Sequence, residues 1–184
     1  MFFVYTSGWK CHGGSLYWLS LKSIMRIVVY PGSFDPFTLG HLNIVERVSR
    51  LFDQVIVGVG INWDKTPWFS AEQRVRLIEE STIHLPNIRV ETYEGLTVRF
   101  VQQCGAKIMV RGVRPITDIP AELTMMMANR RLAPDVETLF LIADGELAHV
   151  SSSLIRDISS VADRAVFQSF LPLPVIDAVM GKNS

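Results

Sequence analysis

Residues 28 to 41, VVYPGSFDPFTLGH, run an apolar strand into Pro31, Gly32, Ser33, Phe34 and Asp35. They then reach Thr38-Leu39-Gly40-His41 at what reads as a helix start. A chain that only turns has no need of a histidine presented beyond a small-residue bend. The combination suits a phosphate. A helix start offers unpaired amide donors and a positive dipole end. Gly32 lets the backbone approach a ligand, and Gly40 leaves room beside it. His41 can donate a hydrogen bond to a phosphate oxygen as charge builds there. The plainer alternative is a turn followed by a helix-capping histidine. That would be the better reading of a lone histidine, but the whole string argues against it.

Further clusters fit the same chemistry. Lys65 stands in the loop NWDKTPWF, where a solvated lysine is the ordinary alternative. VRGVRPITD sets Arg111 and Arg114 three apart around Gly112 and Val113. Guanidinium forks match phosphate oxygens bidentately, and a strand end beside a glycine favours that over two surface ion-pair arginines. In GELAHVSSSLIR, Ser151, Ser152 and Ser153 bring hydroxyls and amides to a helix start. This is a second phosphate cradle, or else one N-cap serine with two bystanders. Glu122 opens another helix, where an acid favours the N-terminus. Met125, Met126 and Met127 point three ways from that helix and read as core rather than as a ligand surface.

The elements that must position these groups alternate. RIVVY, QVIVGVGI, IRVETY, KIMVRG and ETLFLIA are short apolar or β-branched runs, as strands are. Between them, HLNIVERVSRLF carries apolar residues at helical spacing. Ser70 and Gln73 make a capping box for a helix that ends toward Pro86. LTVRFVQQC closes at Gly105. AELTMMMANRRL stops before Pro134. SSSLIRDIS and PLPVIDAVMG supply two more helices. Strand then helix, five times over, predicts an α/β fold: a doubly wound five-stranded parallel sheet in a single domain. Such sheets bind ligands beyond the carboxyl ends of their strands. The five candidate clusters, PGSFDPFTLGH, NWDKTPWF, EGLTVRF, VRGVRPITD and GELAHVSSSLIR, each follow a strand.

The bulk numbers agree. The chain has 184 residues, 48 % of them hydrophobic, which suits one domain with a substantial core and excludes a disordered chain. The apolar excess points to self-association. Lys plus Arg number 18, and so do Asp plus Glu, so no bulk charge points to nucleic acid or to a membrane surface. No apolar run reaches the length of a membrane span. Cys11 and Cys104 are too few and too far apart for a disulfide framework or a metal cluster, which fits a reducing, cytoplasmic compartment. Residues 1–24 are aromatic-rich and without periodicity, with neither a basic start nor a small-residue cleavage site. The expectation is that Met25 is the native start and 1–24 an extension; a mobile tail is the alternative. The domain then covers 25–184.

YPGSFDPFTLGH resembles the signature of the nucleotidyltransferase superfamily whose motif is (H/T)-x-G-H, here Thr38-x-Gly40-His41. The lysine loop, the R-G-x-R of Arg111 to Arg114 and the triple serine follow in order. Together they resemble the phosphopantetheine adenylyltransferase family from Met25 almost to the C-terminus. The resemblance implies a Rossmann-like fold and adenylyl transfer from ATP to 4′-phosphopantetheine, with Mg²⁺ accompanying ATP and no metal site in the protein. It also implies a homohexamer built as a dimer of trimers. On this resemblance His41, Lys65 and Arg114 carry the transition-state charge. Ser33, Lys65, Thr97 and Arg111 meet the acceptor. ATP is met by Ser33, Phe34, His41, Gly112, Val113 and Arg114, by Glu122 on the ribose side, and by Leu147, Ala148, His149, Val150, Ser151, Ser152 and Ser153. Two departures bear on the nucleotide. DIPAE stands where the family has an aromatic and acidic residues before the glutamate. Leu147 and His149 replace the usual tryptophan and phenylalanine. Another adenylyl- or cytidylyltransferase of the superfamily, or a non-catalytic nucleotide-binding module, are the alternatives.

Overall fold

The computed structural model describes residues 25–114 and 118–182. The expectation of an extension at 1–24 lies outside them. Five strands alternate with seven helices: β1 Ile27–Gly32, α1 Leu39–Ser49, β2 Gln54–Ile61, α2 Ala71–Ser81, β3 Ile88–Glu94, α3 Thr97–Gln103, β4 Ile108–Gly112, α4 Ile119–Leu132, β5 Glu137–Leu141, α5 Ser152–Ile158, α6 Arg164–Phe167 and α7 Leu173–Lys182. The strands form one parallel sheet in the order β3-β2-β1-β4-β5. This is the expected doubly wound α/β architecture.

Alternate residues of the central strand serve the two faces. Val28 and Tyr30 join a core with Ile44 and Val48 of α1, Ile78 of α2, Ile155 of α5 and Val175 of α7. Val29 joins a smaller core with Val98, Phe100 and Val101 of α3 and Met109 of β4. Burying each large apolar side chain contributes roughly 1.5–3 kcal/mol. Among the described residues, no helix is long and apolar enough to cross a membrane.

The order of the sheet reverses between β1 and β4, and there the ladder is short. β1 pairs with β2 over six positions but with β4 over only two, Val28 with Ile108 and Val29 with Met109. Pro31 explains the difference. A strand residue turns its N–H and C=O toward the same neighbour, and proline has no N–H to give. The Pro31 carbonyl instead accepts from Arg111 Nη1 at 2.7 Å. The carboxyl ends of β1 and β4 therefore splay, and a crevice opens between them.

Several boundaries differ from the sequence reading. β1 continues two residues past Tyr30. α2 ends at Ser81 rather than toward Pro86, because the Ser81 and Thr82 hydroxyls donate back to the Leu77 and Ile78 carbonyls (2.6 and 2.8 Å). α4 starts at Ile119, with Pro120 in its first turn, where the missing N–H removes no helical bond. The four-residue α6, capped by Asp163, is too short to show periodicity. The methionine run is not core: α4 buries none of its residues, and Met125 and Met127 are largely exposed.

Candidate active site

The loop after β1 is built by its own rings. Phe34 adopts φ 49°, and its ring lies where a Cβ on Gly32 would sit, 2.8 Å from the nearest ring atom. Gly32 is therefore required by packing inside the loop. The Phe34 ring meets Tyr30 and His41 edge-on (centroids 5.2 and 5.1 Å), and Phe37 stacks on His41 at 5.6 Å. The Asp35 carboxylate accepts from the Trp68 and Phe69 amides at 2.7 and 2.8 Å. This ties the β1 loop to the loop that carries Lys65.

His41 is a helix-capping residue and a candidate donor at once. It is the third residue of α1. Its Nδ1 accepts from the Thr38 backbone N–H at 3.1 Å and also lies 3.0 Å from the fully buried Thr38 hydroxyl, which accepts from the His41 amide. Burial, then the charges of Arg111 and Arg114, push its pKa down to about 4. The ring is therefore neutral at pH 7. With Nδ1 accepting, the proton is on Nε2, and the imidazole presents one fixed N–H donor.

The two arginines are held by carboxylates. Arg111 Nε and Nη2 donate to both oxygens of Glu122 at 2.8 and 2.6 Å. Arg114 donates from Nε and Nη2 to Asp118, both at 2.8 Å, and Asp118 also accepts from the Arg114 backbone N–H. Burial opposes the Arg111 charge, but the bonds to Glu122 outweigh it and keep the guanidinium charged; Asp118 does the same for Arg114.

Each of the three serines has its own bond. Ser151 caps α5 by accepting from the Leu154 N–H at 3.2 Å. Ser152 donates to the Pro36 carbonyl at 2.8 Å. Ser153 accepts from Arg156 Nη2 at 3.2 Å. Arg156 also donates to the Asp35 carbonyl. Ser152 and Arg156 thus dock α5 onto the β1 loop.

Two adjoining clefts result, and Ser33 lines both. One, of about 370 Å³, brings together Ser33, His41, Lys65, Gly112, Val113, Arg114, Leu147, Ala148, Val150 and the three serines. The other, of about 630 Å³, holds Thr97 and Arg111, with the Thr97 hydroxyl bonded to Tyr93 at 3.0 Å. Three expected ATP contacts fall elsewhere. The Phe34 side chain is buried behind His41. His149 is exposed, edge-on to Phe170 at 6.1 Å. Glu122 is engaged by Arg111. Arg156 and Asp118 line the first cleft and escaped the sequence reading. Arg156 had a usable signal, since it stands four residues from Ser152, on the same helix face. Asp118 had none, because its pairing with Arg114 depends on how the chain turns after β4.

A family model described as cytidylyltransferase-like matches residues 29–158. A phosphopantetheine adenylyltransferase of Rhodopirellula baltica is 53 % identical over 85 % of this chain and 88 % of its own. One from a Synechococcus species is 50 % identical over 82 % of this chain and 93 % of its own. Among solved structures, a Plasmodium falciparum nicotinic acid mononucleotide adenylyltransferase shares the fold at TM-score 0.65 and 15 % identity, over 86 % of this chain and 96 % of its own. These likenesses span the β1 loop, the lysine loop, the R-G-x-R turn and most or all of the triple-serine segment. The chain belongs to the phosphopantetheine adenylyltransferase family, within the cytidylyltransferase-like nucleotidyltransferases.

Proposed function

We propose that the enzyme transfers the adenylyl group of ATP to 4′-phosphopantetheine. An acceptor phosphate oxygen bonds to the α-phosphorus of ATP, the bond from that phosphorus to the bridging oxygen breaks, and its electron pair leaves with pyrophosphate. Dephospho-coenzyme A is the other product. The acceptor phosphate is already a nucleophile, so no residue need take its proton. The protein's part is alignment and charge stabilisation.

The observation that carries this reading is the fixed Nε2–H of neutral His41 in a cleft shared with Ser33, Lys65 and Arg114. A donor that is uncharged before reaction and immobile throughout favours the charge that develops over the charge already present. Arg114 neutralises the phosphates on the nucleotide side. Arg111 and Thr97 lie on the acceptor side, and Ser33 and Lys65 stand between, where the acceptor phosphate meets the transferring one. Glu122 and Asp118 hold the two guanidinium groups in place and give way, in whole or part, to ligand oxygens.

Mg²⁺ accompanies ATP in this reading and neutralises phosphate charge. Asp118, the carboxylate in the nucleotide cleft among the described residues, already has both oxygens on Arg114. Cationic and hydroxyl donors of this kind fit a metal carried by triphosphate and water. The reading includes a homohexamer, a dimer of trimers, in the cytoplasm. The exposed apolar residues of α4 fit an assembly, and a light-scattering mass of six protomers is expected.

The test is pyrophosphate release and product mass with ATP, Mg²⁺ and each of three acceptors: 4′-phosphopantetheine, nicotinate mononucleotide and glycerol 3-phosphate. Release with phosphopantetheine alone is expected. Release with another acceptor overturns the substrate, and ATP binding without release from any overturns the activity.

A further inference from the structure

Arg74 is a buried charge that the chemistry above leaves unused. The capping box at Ser70 starts α2 and sets Arg74 one turn in, where it reaches back under the ends of β1 and β2. Its residue is 4 % exposed. Its guanidinium donates only to backbone carbonyls: Nε to Phe69 at 3.1 Å, and Nη1 to Ser33 at 2.7 Å and Gly60 at 3.2 Å. Among the described residues, no carboxylate lies within ion-pair distance of it. Glu72 feels the charge from farther off, but it is exposed and its carboxylate accepts from the Ser70 hydroxyl at 2.8 Å. The Asp35 carboxylate faces the Trp68 and Phe69 amides.

A buried cation without a counter-charge is a costly element. The three carbonyls it binds belong to Ser33, where the two clefts meet, to the end of the Lys65 loop, and to β2. A third cavity, beside the Lys65 loop, is lined by Arg74 together with Ser33, Lys65 and Arg156. We propose that Arg74 is a positioning residue for the acceptor phosphate: it fixes Ser33 and the Lys65 loop and keeps an unneutralised positive charge behind them. This rests on the reading that the acceptor phosphate binds at Ser33 and Lys65.

The experiment compares KM and kcat of wild type, R74Q and R74K. R74Q is expected to raise KM for 4′-phosphopantetheine tenfold or more, with KM for ATP within twofold. R74K, which keeps the charge, is expected to return the acceptor KM to within threefold of wild type. A residue that only supports the fold would lower kcat with the folded fraction and leave both KM values alone; that result overturns the inference. Wild-type protein inactive with phosphopantetheine would instead strike the substrate reading. Where R74Q does not fold, wild-type protein carries the test through the Arg74 Hε resonance, assigned by its loss in R74K. A shift on saturation with 4′-phosphopantetheine and none with unphosphorylated pantetheine is expected. No shift with either overturns the inference.

Discussion

The two sides of the crevice are built differently. On the β1–α1 side, α1 buries Gly40, Ile44, Val45 and Val48, and His41 is held by a backbone N–H and two rings. On the β4–α4 side, α4 buries nothing, and the guanidinium forks of Arg111 and Arg114 rest on carboxylates at the start of α4, Arg111 with one further bond to the Pro31 carbonyl. A backbone bond has no competitor when a ligand arrives. A carboxylate can be exchanged for a phosphate of like geometry. One side thus suits a donor that must not move during reaction, and the other suits charges that change partners on binding.

Breaking the rigid side has the largest expected effect. His41→Ala should lower kcat by about 10²–10³, or roughly 2.7–4 kcal/mol, with little change in KM for ATP. Steady-state kinetics check this; near-normal turnover would remove His41 from the chemistry. Ile44→Ala, at a site 1 % exposed, should cost about 2–5 kcal/mol in urea unfolding.

Acid should act on the same side. The folded-state pKa of His41, about 4, lies below the ordinary 6.5. Above pH 6.5 both folded and unfolded chains are neutral there, and His41 contributes nothing to the pH dependence. As pH falls from 6.5 to 4 the unfolded chain takes up the proton first, so stability falls, by at most roughly 3 kcal/mol. Denaturation of wild type and His41→Gln at both pH values isolates this loss, which the variant should lack.

Thr38→Val removes both the cap and the 3.0 Å contact of the Thr38 hydroxyl with Nδ1, and leaves the backbone N–H on Nδ1. Stability should fall by about 1 kcal/mol, and kcat should fall far less than in His41→Ala. The smallest effect belongs to the open side. The Thr124 hydroxyl donates only to the Pro120 carbonyl of its own helix, and Thr124→Ala should change protomer stability by under about 0.5 kcal/mol.

The sequence made the alternation legible because strands buried on both faces and capped helices have local signals: β-branched runs, Ser70 with Gln73, Ser151. It made the β1 loop legible as a phosphate site because Gly32, Ser33 and His41 are close in the chain. It did not show that Gly32, which lines the acceptor cleft, also makes room for the Phe34 ring, and it misread the methionine run, whose exposure depends on where α4 lies. Charge partners were out of reach for the same reason. Glu122 could be placed at a helix start, but its fork onto Arg111 requires β4 and α4 to fold together. The burial of Arg74 likewise depends on the ends of β1 and β2 closing over it.

The most direct test of the account is the ¹⁵N spectrum of the His41 imidazole in the ligand-free enzyme, followed from pH 8 to pH 4. The account predicts an unprotonated Nδ1 and a protonated Nε2 at pH 7, with titration near 4. A doubly protonated ring at pH 7, or a proton on Nδ1, would contradict it.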